Sequence, residues 1–87
     1  MSASAKQSPP APADAKWQAR ARGILRAELA RRNISYVDLA ERLRALGVED
    51  TPKNLSNKIA RGMFTAAFLI QCMDAIGCRA IRLEPEE

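Results

Sequence analysis

Three times in succession the chain places a hydroxyl residue, a short run and a glycine. Ser35 precedes a run that stops at Gly47, Thr51 one that stops at Gly62, and Thr65 one that stops at Gly77. A hydroxyl ahead of a helix accepts a hydrogen bond from an otherwise unpaired N–H of the first turn. A glycine past the last turn adopts the left-handed conformation that ends the helix. Punctuation repeated at this interval leaves room for short helices joined by tight turns and little else. The first unit is reinforced by Asp38, three residues after Ser35, in a capping-box variant, and by Ile34 and Leu39 at the staple positions. The second carries Pro52 at the first helical position, where its missing N–H does no harm.

A longer helix precedes these units. Over residues 14–32, Trp17, Ala21, Leu25 and Leu29 recur every four residues and Ile24 widens the stripe. Lys16, Arg20, Arg22, Arg26, Arg31 and Arg32 fill the remainder, opposed inside the stretch by Glu28, and Gly23 is a mild weakness at its centre. This cationic surface reads as a solvated face, part of which could track a phosphate backbone. Asn33, following two arginines, marks the helix end. The second helix runs from Tyr36 to about Leu46, with Tyr36, Leu39, Ala40, Leu43 and Leu46 on one face. In the fourth, AAFLIQCMDAI, the residues Phe68, Leu69, Cys72, Met73 and Ile76 are too apolar for a surface helix. It belongs in the centre of the core or in a dimer contact. The following RAIRL alternates weakly and could be extended.

The expected fold is therefore all-α, a compact four- to five-helix domain. Abundant alanine and leucine and few β-branched residues agree with that. At 87 residues the chain holds one small domain, whose core must be efficient or shared with a second copy. Residues 1–13, with Pro9, Pro10 and Pro12, read as a flexible Ala/Pro/Ser-rich tail, 14–83 as the domain, and 84–87 as an acidic tip. The N-terminus lacks the apolar stretch of a signal peptide, and no run approaches the ~20 apolar residues of a membrane span. A cytoplasmic, nucleoid-associated protein with no membrane partner is expected.

Several chemistries are disfavoured by residue type. The absence of histidine removes Ser-His and Cys-His nucleophile pairs and most zinc sites. Cys72 and Cys78 match neither a metal pattern nor a disulfide scaffold, and Cys72 reads as a small buried hydrophobe. With no paired carboxylates and no Gly-rich phosphate loop, we expect no enzyme, no metal, no cofactor and no small-molecule substrate.

The stretch Thr51–Gly62, TPKNLSNKIARG, holds three cations, two asparagines and no acid, in a chain of net charge +4. On a wheel of about 100° per residue, Leu55 and Ile59 stack one turn apart and define the buried side. Lys53, Asn57 and Arg61 fall nearly opposite, Asn54 and Ala60 beside them, and Lys58 on the flank. Lysine and arginine neutralise phosphates or donate to guanine, and asparagine pairs bidentately with adenine in the major groove. A short surface helix that merely lacks acids has the same composition, so the order of the elements matters.

That order resembles the lambda-repressor-like, or Xre/Cro-type, helix-turn-helix domains. Ser35-Tyr36-Val37-Asp38-Leu39-Ala40 is similar to the opening of their second helix. Lys58-Ile59-Ala60-Arg61-Gly62 resembles the close of their recognition helix, and Phe68 to Gly77 the helix that follows. The resemblance spans Ile34 to Cys78. It departs from the family in three places. The segment between Leu43 and Ile59 is longer, Leu55 stands four rather than three residues before Ile59, and Tyr36 replaces a backbone-contacting glutamine. The whole pattern, including ARGILRAEL and NLSNKIARG, is also similar to a small bacterial family known only as a domain of unknown function.

The helix-turn-helix resemblance implies roles. Lys53, Asn54 and Asn57 address base edges, Lys58 and Arg61 the DNA backbone, and the helix starts at Ser35, Tyr36 and Thr51 receive phosphates. It implies a small transcriptional regulator that binds double-stranded DNA as a homodimer. The alternative is a protein-interaction module, antitoxin-like or adaptor, on the same scaffold. RNA binding is disfavoured by the scarcity of aromatics to stack on bases.

Overall fold

The computed structural model describes residues 12–83. It contains α1 (Pro12–Arg31), α2 (Tyr36–Ala45), α3 (Pro52–Arg61) and α4 (Ala66–Ile76), with no strand among the described residues. The tail read over 1–13 and the acidic tip over 84–87 fall outside them, except that Pro12 and Ala13 belong to α1. Proline is tolerated in a first helical turn, and Asp14 there complements the positive end of the helix dipole, so the helix starts two residues early.

The caps follow the sequence pattern. Ser35 Oγ accepts from the Asp38 N–H at 3.1 Å while the Ser35 N–H donates to Asp38 Oδ2 at 3.2 Å. Thr51 and Thr65 accept from the N–H groups of Asn54 and Phe68. Three helices end alike. A left-handed residue (Asn33, Gly47 or Gly77) is followed by Ile34, Val48 or Cys78, whose N–H reaches back to Leu29, Leu43 or Met73 and whose side chain packs on the core. This displaces one expected core position: Leu46 is exposed, because the chain turns at Gly47 and Val48 takes its place.

α2 packs against α3 and α4, and α1 against the same two helices. The core is formed by Leu25 and Leu29 of α1, Leu39, Ala40 and Leu43 of α2, Leu55 and Ile59 of α3, and Phe68, Cys72, Met73 and Ile76 of α4. Each large side chain so buried stabilises the fold by roughly 1.5–3 kcal/mol. α4 supplies the largest share and fills the centre, as its composition predicts. Burial pushes the Cys72 thiol up to about 12, so it acts as an inert core residue.

The stripe on α1 is buried only in part. A helix of 20 residues is about 30 Å long, twice its ten-residue neighbours. The bundle covers Leu25 to Leu29 and leaves Trp17 exposed. Residues 79–83 are exposed and without regular structure, so RAIRL forms no strand. Instead Ile81 and Leu83 run beside Trp17, Ala21, Ile24 and Leu69, and together they line an open groove of about 430 Å³.

α3 is held to α1 at its C-terminal end. Gly62 is buried at φ +67°, and a Cβ there would stand 2.3 Å from the Gln18 carbonyl oxygen of α1. Beside it, Arg22 Nη1 donates to the Ala60 carbonyl at 3.3 Å. Arg42 of α2 donates likewise to Ala75, near the end of α4, at 3.4 Å. Each guanidinium meets the negative end of a neighbour's helix dipole.

Candidate nucleic-acid interface

The orientation of α3 follows from its two anchors. Leu55 and Ile59 are completely buried, so a spacing of four residues serves packing well. Lys53, Asn54, Asn57, Lys58, Ala60 and Arg61 are exposed, and no acid lies on the helix. The wheel and the structure thus give α3 the same outer face.

The cations on that face are not equivalent. Lys58 Nζ lies 2.8 Å from Asp50 Oδ2, and its ammonium sits 4.9 Å from the centre of the Phe68 ring. The Asp50 side chain is only 7% exposed. Burial pushes its carboxyl up, but hydrogen bonds from Lys58 and the Thr51 N–H, with the Lys58 charge, outweigh that and hold it below its ordinary value. Lys58 therefore stands on the flank with its charge already balanced. Lys53 and Arg61 make no ion pair among the described residues.

The helix starts are also occupied. The Thr51 N–H donates to Asp50 Oδ1 at 2.9 Å, as the Ser35 N–H does to Asp38. Each of the two positions at which the resemblance places a phosphate thus already holds a carboxylate. Tyr36 is half-buried against the core rather than presented to solvent. On this surface the cations outside any ion pair among the described residues are Lys53 and Arg61, whereas the backbone N–H groups of Ser35 and Thr51 already face carboxylates.

Several arginines on and just after α1 are engaged within the fold, while Arg26 is exposed and makes no ion pair among the described residues. Glu28 is bound by Arg32 through a close ion pair and by Arg31 at 3.2 Å. The Arg32 hydrogen bond, aided by both guanidinium charges against a smaller burial effect, holds the Glu28 carboxyl below its ordinary value. Arg20 leans over the Trp17 ring at 5.3 Å, and Arg22 is engaged with α3.

Residues 17–81 match the family described as a domain of unknown function (DUF6471). The chain belongs to that family. The family match takes in α1 from Trp17 onward, all of α2, α3 and α4, and the extended chain as far as Ile81. No curated protein and no solved structure matches.

Within the family domain, sequence reasoning passed over Asp50 and the contact of Gly62 with α1. Asp50 lies in a turn, eight residues from Lys58 and across a helix cap, and no helical spacing rule connects the two. Gly62 was legible as a stop, but its close approach to Gln18 joins residues of different helices. No local signal carries that.

Proposed function

We propose that this chain is a DNA-binding protein, a small transcriptional regulator that reads the major groove of double-stranded DNA with α3. One observation carries the reading. Two fully buried anchors hold α3 so that Lys53, Asn54, Asn57 and Arg61 face outward together on a helix without acids. Asparagine at the middle of such a face suits adenine, and Lys53 and Arg61 suit guanine or phosphate. The order of α2, α3 and α4 supports a helix-turn-helix of the lambda-repressor-like kind. The connection over residues 46–51 is longer than the usual turn of about three or four residues. A module this small makes few phosphate contacts, so it acts as a homodimer on two half-sites.

The test is fluorescence anisotropy with random duplex DNA at low salt. Binding is expected, and its salt dependence should become shallower by about one phosphate for each of Lys53→Ala and Arg61→Ala. Lys58→Ala should change the slope less, because Asp50 already balances that charge. Absence of binding at low salt, or binding indifferent to a combined Lys53→Ala and Asn57→Ala variant, overturns the reading. Selection from a random DNA library would then return a palindrome or nothing.

A second reading is supported by the carboxylates at both helix starts and by the open groove beside Trp17. A protein-interaction module, antitoxin-like or adaptor, uses such surfaces. Its partners would survive nuclease treatment in a pull-down, whereas those bridged by DNA would not.

A further inference from the structure

Helix formation does not explain the acid at Asp50. Its side chain is only 7% exposed, and α3 has no need of a carboxylate there to start. Thr51 already caps the helix by accepting from the Asn54 N–H at 3.1 Å, and Pro52 brings no N–H to satisfy. Asp38, the acid at the start of α2, is different. It is exposed, completes a capping box and pairs with no cation among the described residues.

The Asp50 carboxylate instead reaches along α3. Oδ2 takes the Lys58 ammonium at 2.8 Å, and Oδ1 takes the Thr51 N–H at 2.9 Å. The Asn54 side chain adds a further hydrogen bond. Lys58 is thereby drawn to the flank, with its ammonium 4.9 Å from the centre of the Phe68 ring of α4. An anion of the chain itself thus stands where a DNA phosphate would pair with Lys58 and the start of α3.

The two side chains it holds differ in the information they carry. A lysine on its flexible stem meets phosphates in any register and reports nothing of the sequence. An asparagine held in one orientation reads a base edge. Binding to random DNA is almost wholly electrostatic. An acid that withdraws Lys58 and steadies Asn54 therefore lowers attraction to every sequence while keeping the contact with a chosen one.

We propose that Asp50 is a specificity-determining residue of the DNA contact, competing from within the chain with the DNA backbone for Lys58 and the start of α3. It widens the gap between chosen and random sequences. The inference rests on the DNA reading given above. Asp50 acts through Lys58 and Asn54, so it is a positioning residue that need not touch DNA.

The test is Asp50→Asn in the full chain, a near-isosteric change. Fluorescence anisotropy would compare a random duplex with the duplex that the unaltered protein selects from a random library. Affinity for the random duplex should rise, and its salt slope should steepen by about 0.9, the value of one further phosphate. The ratio of affinities for the two duplexes should fall about tenfold, the scale of a single base contact. A carboxylate that merely braced the turn would behave otherwise, its loss weakening binding to both duplexes alike. Lys58→Gln should leave the slope of the unaltered protein nearly unchanged, yet remove the added phosphate from the Asp50→Asn chain. Should Asp50→Asn lose helicity, Lys58→Gln alone decides. A slope flattened as much as by Lys53→Gln means that Lys58 meets phosphate despite Asp50, and overturns the proposal. So does a folded Asp50→Asn chain with unchanged slope and ratio, or a selection that recovers no preferred sequence; both leave DNA binding itself standing. Failure of every variant and of the unaltered protein to bind duplex at low salt overturns the DNA reading, and this inference with it.

Discussion

α1 and α3 are both rich in cations, and the structure puts those cations to different uses. At the end of α1, Arg31 and the turn residue Arg32 close on Glu28, Arg22 reaches the end of α3, and Arg20 lies over Trp17. On α3 only Lys58 is balanced, by an acid outside the helix, while Lys53 and Arg61 remain without an ion pair among the described residues. Much of the positive charge on α1 is thus engaged within the fold, although Arg26 is exposed and outside any ion pair among the described residues. A count of basic residues describes attraction at a distance. Which of them can touch a phosphate depends on whether a carboxylate or a helix end already holds them.

The most damaging way to break this arrangement is at the place where the two helices meet. Gly62→Ala adds a Cβ that overlaps the Gln18 backbone, at a left-handed φ that costs an alanine about 1–2 kcal/mol by itself. Backbone cannot yield as a flexible side chain does, so a total loss above about 3 kcal/mol is expected in urea denaturation. The variant should also lose DNA binding, since α3 is no longer docked.

Glu28→Gln inverts the comparison. It removes the charge that Arg31 and Arg32 share, so stability falls while the end of α1 and the turn after it gain two available cations. Affinity for random duplex should rise, and the salt slope should steepen by up to about two phosphates. A fall in affinity, with the fold shown intact by circular dichroism, would contradict the account of where the charge is held.

Acid should weaken both ion-paired sites. The Glu28 and Asp50 carboxyls are held below their ordinary values of 4.5 and 3.8. A carboxyl whose folded value is depressed contributes stability that is fully present above its unfolded value. That stability is lost as pH falls through the folded value. The melting temperature should therefore be indifferent to these two groups from pH 7 to about 5, then fall. In Glu28→Gln and in Asp50→Asn the fall should be shallower.

The smallest expected effect lies on the other glycine of the α1–α3 comparison. Gly23 sits in the middle of α1, exposed, with nothing within 4 Å of an added Cβ. Gly23→Ala should stabilise the protein by about 0.5–1 kcal/mol, because alanine loses less backbone freedom in a helix. One substitution, made at two glycines, is expected to have opposite signs.

Much of the fold was legible beforehand. Ser35, Thr51 and Thr65 cap helices as their positions imply, the three glycines end them in left-handed conformations, and Leu55 with Ile59 sets the buried side of α3. These are interactions between near neighbours in the chain, and residue type with spacing is enough to specify them. Trp17 and Leu46 are where the reading erred. Periodicity says which residues share a face, but not how far a neighbouring helix extends along it or where the chain turns away. Within the candidate site, the outer face of α3 followed from the wheel. The neutralisation of Lys58, the carboxylates at both helix starts and the half-burial of Tyr36 did not.

The sequence by itself determined the helices, their ends, the apolar centre in α4 and an acid-free face on α3, because each depends on contacts within a few residues. Tertiary structure alone decided which cations remain available, why Gly62 must lack a side chain, and that the first half of α1 lines an open apolar groove with the chain end. Those outcomes depend on the meeting of Gln18 with Gly62, on that of Arg22 with Ala60, and on Trp17 and Leu83 lining one groove. Such pairs are far apart in the chain, and the packing of α1 across the bundle sets the distances between them.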